Sequence, residues 1–427
     1  MTLPAPGPDS ATSPAARATL PEKTRRRLEL WQGYRSYQYL TAGTDYPDRA
    51  YVPALGRVPG AAMRWDDHVE ARARAFEEQH WVVSAHDHLS LRPANSTEFA
   101  EYRRSGREAT PYEGIAHSGV DLFFDGGPAA VSMIRSHTPW DWDDAISDLS
   151  MRQSDWAHQG LVTPVRNLEE AQRARAAGQV GVVLTLEAAT PIGNDVDRLD
   201  ILYGLGVRLL GLVYSESNQL GSGLADTGDA GLTLLGRRAL RRMNDLGIIV
   251  DVSHTGDETA LDAARRSTAP VVITHAGSRA LWPTSRMKPD EVIRACADTG
   301  GFIGVEAAPH TTVTEAHPRH CLDSVMEHLE RCLDLVGIDH VALGPDTNFG
   351  DHVAWHRVFA SLFGKDDGPA TDLPSHEPVE YVHGCENPGE SVRNMIRWLF
   401  VHGYSDDDIA KIAGGNVRRV AAEVWHS

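Results

Sequence analysis

The feature that most constrains this chain is a repeated alternation of two kinds of segment. From Trp81 onward, short β-branched apolar runs are separated by amphipathic stretches with helical spacing. The runs are WVVSAH (81–86), VGVVLTLEA (180–188), VRLLGLVYS (207–215), IIVDVSH (248–254), PVVITH (270–275), GFIGVEA (301–307) and HVALGPD (340–346). An eighth lies within VDLFFDGGPAAVSMI (120–134). These runs are nearly continuous rather than alternating apolar and polar, as expected for strands covered on both faces of a parallel sheet. Between them, segments such as TLLGRRALRRMNDLG, DETALDAARRS and LDSVMEHLERCLDLVG read as helices, two of them closed by a glycine, Gly247 and Gly337. Eight β-α units predict a closed (β/α)8 TIM barrel in preference to an open sheet. No G-x-G-x-x-G follows the first run, which argues against a dinucleotide fold.

The polar residues that end these runs share a chemistry. The first run leads into His86 and His88, the one near 184 into Glu187, and later runs into His254, His275 and Asp346. In a closed barrel the C-terminal strand ends meet around one mouth. Taken singly, each residue has a plainer explanation. His86 and His88 could be polar punctuation, Glu187 an arginine's partner, and Asp346 a cap. Taken together, six ionisable groups crowded at one mouth carry a desolvation cost that a cation relieves. Histidine, aspartate and glutamate form the ligand set of a borderline ion such as zinc.

The rest of the composition bounds the partners. With 59 acidic against 41 basic residues, the formal charge of -18 argues against a nucleic-acid or anionic-membrane partner, both of which want a basic face. Four scattered cysteines without a C-x-x-C read as reduced thiols. No secretory h-region and no apolar run of membrane-spanning length occurs, so a cytoplasmic protein is expected. Residues 1–22, rich in Pro, Ala, Ser and Thr, read as a mobile tail. Residues 23–78 read as an aromatic-bearing extension that packs on the barrel or on a partner subunit, and 79–427 as the barrel.

The segments GLTLLGRRALRRMNDLGIIVDVSH with APVVITHAGSRAL (231–281), SRMKPD (285–290), VGIDHVALGPD (336–346) and GGNVRRV (414–420) together resemble the membrane dipeptidase (renal dipeptidase-like) family of the amidohydrolase superfamily. The resemblance covers roughly residues 80 to 425. It implies a (β/α)8 barrel with two zinc ions. In that scheme Glu187 bridges the ions, His254 and His275 serve one, and His86, His88 and Asp346 serve the other. It also implies that Arg286 grips the free carboxylate of a small-molecule substrate, that Asp346 moves the proton, and that the protein forms a homodimer. The chemistry it implies is hydrolysis of a dipeptide-like amide by a metal-activated water.

Three positions depart from the family pattern. His88 stands where the family has an aspartate, Tyr214 where it has a substrate-contacting histidine, and Asn348 near the place of a second aspartate. The nitrogen ligand at 88 removes a negative charge, keeps Fe and Ni open beside Zn, and leaves one or two ions possible, with Mn not excluded. Tyr214 is a neutral donor able to bind substrate or take a catalytic part. Glu216 is either solvent-exposed or an added acid–base group. These changes motivate a second reading, a biosynthetic enzyme using the same barrel for a lyase, decarboxylation or rearrangement. A third reading, an inactive relative, is disfavoured by the retained Glu187, His254, His275 and Asp346.

Overall fold

The apolar runs form strands because their β-branched residues pack well on a pleated surface buried from both sides. A computed structural model describes residues 20–56, 63–105, 107–127, 141–363 and 375–425. Ten strands are present among them: β1 (Val83–Leu91), β2 (Leu122–Asp125), β3 (Val162–Pro164), β4 (Val180–Leu186), β5 (Val207–Gly211), β6 (Ile249–Asp251), β7 (Val271–Ala276), β8 (Ile303–Val305), β9 (Val341–Leu343) and β10 (Asn348–Phe349). All pairings are parallel, in the order β10-β1-β2-β4-β5-β6-β7-β8-β9, with β3 added beside β4.

β9 and β10 are successive pieces of one segment, and that segment closes the sheet. It leaves β8 and turns onto β1, where the Asp346 amide donates to the His86 carbonyl (2.9 Å) and the His88 amide to the Thr347 carbonyl (2.9 Å). The result is a barrel of eight staves, as the alternation predicts. One apolar cluster takes a residue from each stave: Val83, Leu122, Val183, Leu209, Ile249, Val272, Phe302 and Ala342. Only the barrel interior can be reached from all eight. The C-terminal helix Asn416–Val424 adds Val417, Val420 and Val424 to this floor, and Trp425 follows them.

One expectation is corrected here. His86 and His88 do not end the first strand; they lie within β1, which runs on to Leu91. The physical reason is the late return of the chain at β10, which pairs with the second half of β1 and extends it. The register with β2 also shifts between Ser84 and Asp87. That irregularity lets Val83 and Ala85 join the floor while His86 and His88 rise from the same interior. The strand expected within 120–134 is present as Leu122–Asp125; residues 128–134 lie outside the described residues. So do residues 1–19 of the expected tail, and a helix already begins at Glu22.

Helix boundaries follow local chemistry. Thr233 accepts from the Gly236 amide at the start of Leu234–Leu246, and Gly247 ends that helix at φ 81°, ψ 38°. The extension docks through two buried carboxylates of the barrel. Asp121, just before β2, pairs with Lys23 (2.7 Å), Arg27 (3.0 Å) and Arg175 (3.4 Å). Asp155 accepts from the Tyr34 hydroxyl (2.8 Å), the Tyr37 amide (2.7 Å) and the Tyr112 hydroxyl (2.6 Å). No helix among the described residues is long and apolar enough to cross a membrane.

Removing one partner of a buried ion pair strands the other, at a cost of about 3–5 kcal/mol. Asp121→Ala is therefore expected to lower unfolding stability by about that amount, read as a shift in the urea midpoint. A midpoint equal to that of the unsubstituted protein would show that the extension is held by other contacts.

Candidate functional site

The barrel mouth gathers the six residues singled out above. Glu187, just after β4, lies between two histidines: Oε1 is 3.8 Å from His88 Nε2 and Oε2 is 3.6 Å from His254 Nε2. His254 Nε2 and His275 Nε2 face each other at 2.9 Å. Asp346 Oδ1 is 3.1 Å from His88 Nε2 and 3.6 Å from His86 Nε2. The rings of His86 and His275 stack with centroids 3.6 Å apart. Donor atoms converge in three overlapping groups: His86, His88 and Glu187; His86, His275 and Asp346; and Glu187, His254 and His275. The first and third place Glu187 between two ligand clusters. The second links Asp346 to His275 as well as to His86.

Electrostatics fit a cation. Burial drives His86 and His88 down to about 3 and puts His254 and His275 well below the ordinary histidine value. All four are thus neutral, the form that offers a lone pair. Burial and the neighbouring Asp346 push the Glu187 carboxyl upward, and burial raises Asp346 against the pull of His86 and Arg286. Like charges kept close in a dry site need a counter-ion. His86 Nε2 is buried with no hydrogen-bond partner. The residues present therefore suit a divalent metal.

The supporting layer orients one ligand in particular. Asp251, at the end of β6, can only accept when ionised. It takes the hydroxyl protons of Ser253 (2.6 Å) and Thr274 (2.7 Å). With its own proton committed, the Thr274 hydroxyl must accept from His275 Nδ1 (2.8 Å). The His275 proton then sits on Nδ1, and Nε2 turns a lone pair into the mouth. Asp87 points away from its histidine neighbours and takes the Thr347 amide (2.9 Å) and hydroxyl (2.7 Å), fixing β1 against the last strand. Gly126 leaves room for both first-strand imidazoles, since a Cβ there would lie 2.7 Å from His86 Nε2 and 2.8 Å from His88 Cε1.

The departures are placed as follows. The Tyr214 ring stacks on His254 at 4.1 Å, and burial with Glu187 and Asp346 holds its phenol protonated. Asn348 accepts from Arg92, a residue also paired with Glu108 (3.3 Å). Glu216 is exposed. Arg286 reaches the mouth, but it is already engaged. Its Nη1 donates to the Ser253 carbonyl (3.2 Å), and its Nη2 to the His275 carbonyl (3.0 Å) and to Glu306. Glu306, Asp251 and His356 are site residues that reading the sequence missed. Glu306 follows β8 as Glu187 follows β4, so the same strand-end rule would have found it. His356, driven to about 4 by burial and close enough to feel the Asp346 charge, comes from the helix His352–Phe363, beyond the last of the expected strands.

Supporting groups of metal ligands are worth about 10–100-fold in affinity. Asp251→Asn, which frees the Thr274 hydroxyl and the His275 tautomer, is expected to weaken zinc binding by about that factor in chelator competition. An unchanged affinity would remove Asp251 from the account.

The family model described as membrane dipeptidase (Peptidase family M19) matches residues 150–355, which include Glu187, Tyr214, His254, His275, Arg286 and Asp346 but not His86 or His88. The chain is 28% identical over 296 residues to dipeptidase tcpJ of Claviceps purpurea, across 66% of this chain and 63% of that protein. It thus spans less than two thirds of that relative's length. It is 31% identical over 188 residues to an uncharacterized protein in the pqqA 5' region of Klebsiella pneumoniae, across 42% of this chain and 68% of that protein. The solved structure of the probable dipeptidase PvdM from Pseudomonas aeruginosa shares the fold, with a TM-score of 0.65 and 21% identity over 84% of this chain and 99% of that one. The chain belongs to the membrane dipeptidase family, Peptidase family M19.

Proposed function

We propose that the protein is a metal-dependent hydrolase that cleaves an amide bond in a small, dipeptide-like substrate. The observation that carries this reading is the convergence of four neutral imidazoles and two carboxylates at one barrel mouth. His86, His88, Glu187, His254, His275 and Asp346 would hold one or two divalent ions, zinc by the nature of the donors. When bound, such an ion supplies Lewis acidity that polarises a carbonyl and lowers the pKa of a water to about 7.

The protein groups do the remaining work. Asp346, beside His86 and His88, accepts the proton of the attacking water and passes it to the leaving nitrogen. Tyr214 keeps its proton and donates to the oxygen where negative charge develops. The resemblance to the family would seat a free substrate carboxylate on Arg286, and in this chain Glu306 already holds that guanidinium. A homodimer and a cytoplasmic site of action belong to the same reading, on the resemblance and the composition. The second reading, a non-peptidase reaction on the same barrel, is favoured by His88 and Tyr214 standing where the family has aspartate and histidine.

Chelation is expected to abolish turnover of a dipeptide panel and zinc to restore it. Asp346→Asn, which keeps the left-handed backbone at φ 53° accessible but removes the shuttling carboxylate, should lower kcat by about 10²–10⁴ even at saturating zinc. Tyr214→Phe should lower kcat by about 10²-fold if the phenol stabilises developing charge. Should the zinc-loaded protein turn over no dipeptide while Tyr214→His does, the second reading replaces the first.

A further inference from the structure

Arg286 has five N–H donors arranged in a planar fork. A carboxylate takes two of them at once along either of two edges, Nε with Nη2 or Nη1 with Nη2. Both edges use Nη2. In this chain both Nη2 hydrogens are taken, one by the His275 carbonyl at 3.0 Å and one by the Glu306 carboxylate. Nη1 is tied to the Ser253 carbonyl at 3.2 Å. The guanidinium is therefore lashed to the segments that carry His254 and His275, and its two-pronged edges are closed.

Glu306 is buried beside its partner, and its backbone is pinned on both sides. Its side chain has no exposed surface, its amide donates to the Ala276 carbonyl (3.0 Å), and its carbonyl accepts from the Thr312 hydroxyl (2.8 Å). The Arg286 side chain keeps 16% of its surface exposed, so it still faces the mouth. A free carboxylate arriving there meets a guanidinium whose two-pronged edges are already filled by a carbonyl and a carboxyl group. It would set its charge beside the Glu306 carboxyl, which burial raises to about 7, and gain at most a single-pronged contact. An uncharged carbonyl group can take one remaining donor without that repulsion.

We propose that Glu306 is a specificity-determining residue that turns the Arg286 subsite from a carboxylate clamp into a site for an uncharged carbonyl-bearing end. The substrate is then an amide whose terminus is blocked as a carboxamide, ester or lactam. This rests on the hydrolase reading only for where the substrate lies.

The test is equilibrium binding by calorimetry to the zinc-loaded protein, with two ketomethylene isosteres of Ala-Ala that cannot be hydrolysed. One carries a free carboxylate and the other a carboxamide. The unsubstituted protein is expected to bind the carboxamide about tenfold more tightly. Glu306→Gln, close to isosteric, and Glu306→Ala should both shift that ratio toward the free acid by about tenfold or more, with metal content unchanged. Tighter binding of the free acid to the unsubstituted protein, a ratio unmoved in both variants, or no binding of either compound would overturn the proposal. Turnover of the matching hydrolysable pair is measured alongside. A preserved binding preference without turnover sinks the hydrolase reading and leaves the role of Glu306 standing.

Discussion

The mouth of this barrel exists because the last strand returns to the first. His86 and His88 lie on β1, and Asp346 lies 258 residues beyond His88 on the closing segment. They meet only through the contacts that seal the sheet. These are the Asp346 amide on the His86 carbonyl and the Thr347 amide and hydroxyl on Asp87. Asp87 is thus the structural counterpart of its two histidine neighbours: they face the mouth, and it locks the seam that brings Asp346 to them. Closing an eight-stranded parallel sheet also abolishes its edges and brings every C-terminal strand end to one face. The site follows from that closure.

The charge arrangement follows from it too. Four imidazoles and two carboxylates from five staves are drawn into one largely buried space. Each histidine loses its proton there and each carboxyl is pushed toward holding one. Neutral imidazoles around paired acids form a poor resting state for a protein alone and a good one for a bound dication. The Asp251–Thr274–His275 chain shows how the fold commits a tautomer without a charged group touching the mouth. Gly126 shows the opposite device, a missing side chain that keeps space for two rings.

Much of this was legible in the sequence, and the reasons differ by residue. Glu187, His254, His275 and Asp346 follow apolar runs whose period and length announce buried strands, so topology alone brings them together. Helix ends such as Thr233 and Gly247 were legible because capping is local chemistry. The position of His86 and His88 within β1 was not, because it depends on a register irregularity and on a two-residue strand far along the chain. Asp251 sat inside a recognised motif, but its role depends on which hydroxyl protons it accepts. Glu306 had the right position after a strand, yet its meaning lies in a pairing with Arg286 across 20 residues that spacing does not reveal.

The central claim is that this mouth holds divalent metal through Glu187 and the histidines on either side of it. The most direct measurement is a crystal structure of the zinc-loaded protein with an anomalous difference map at the zinc edge. The account predicts density beside Glu187, within coordinating distance of His254 and His275 or of His86 and His88. A map with no peak at the mouth, or with a peak that Glu187 does not touch, would contradict it.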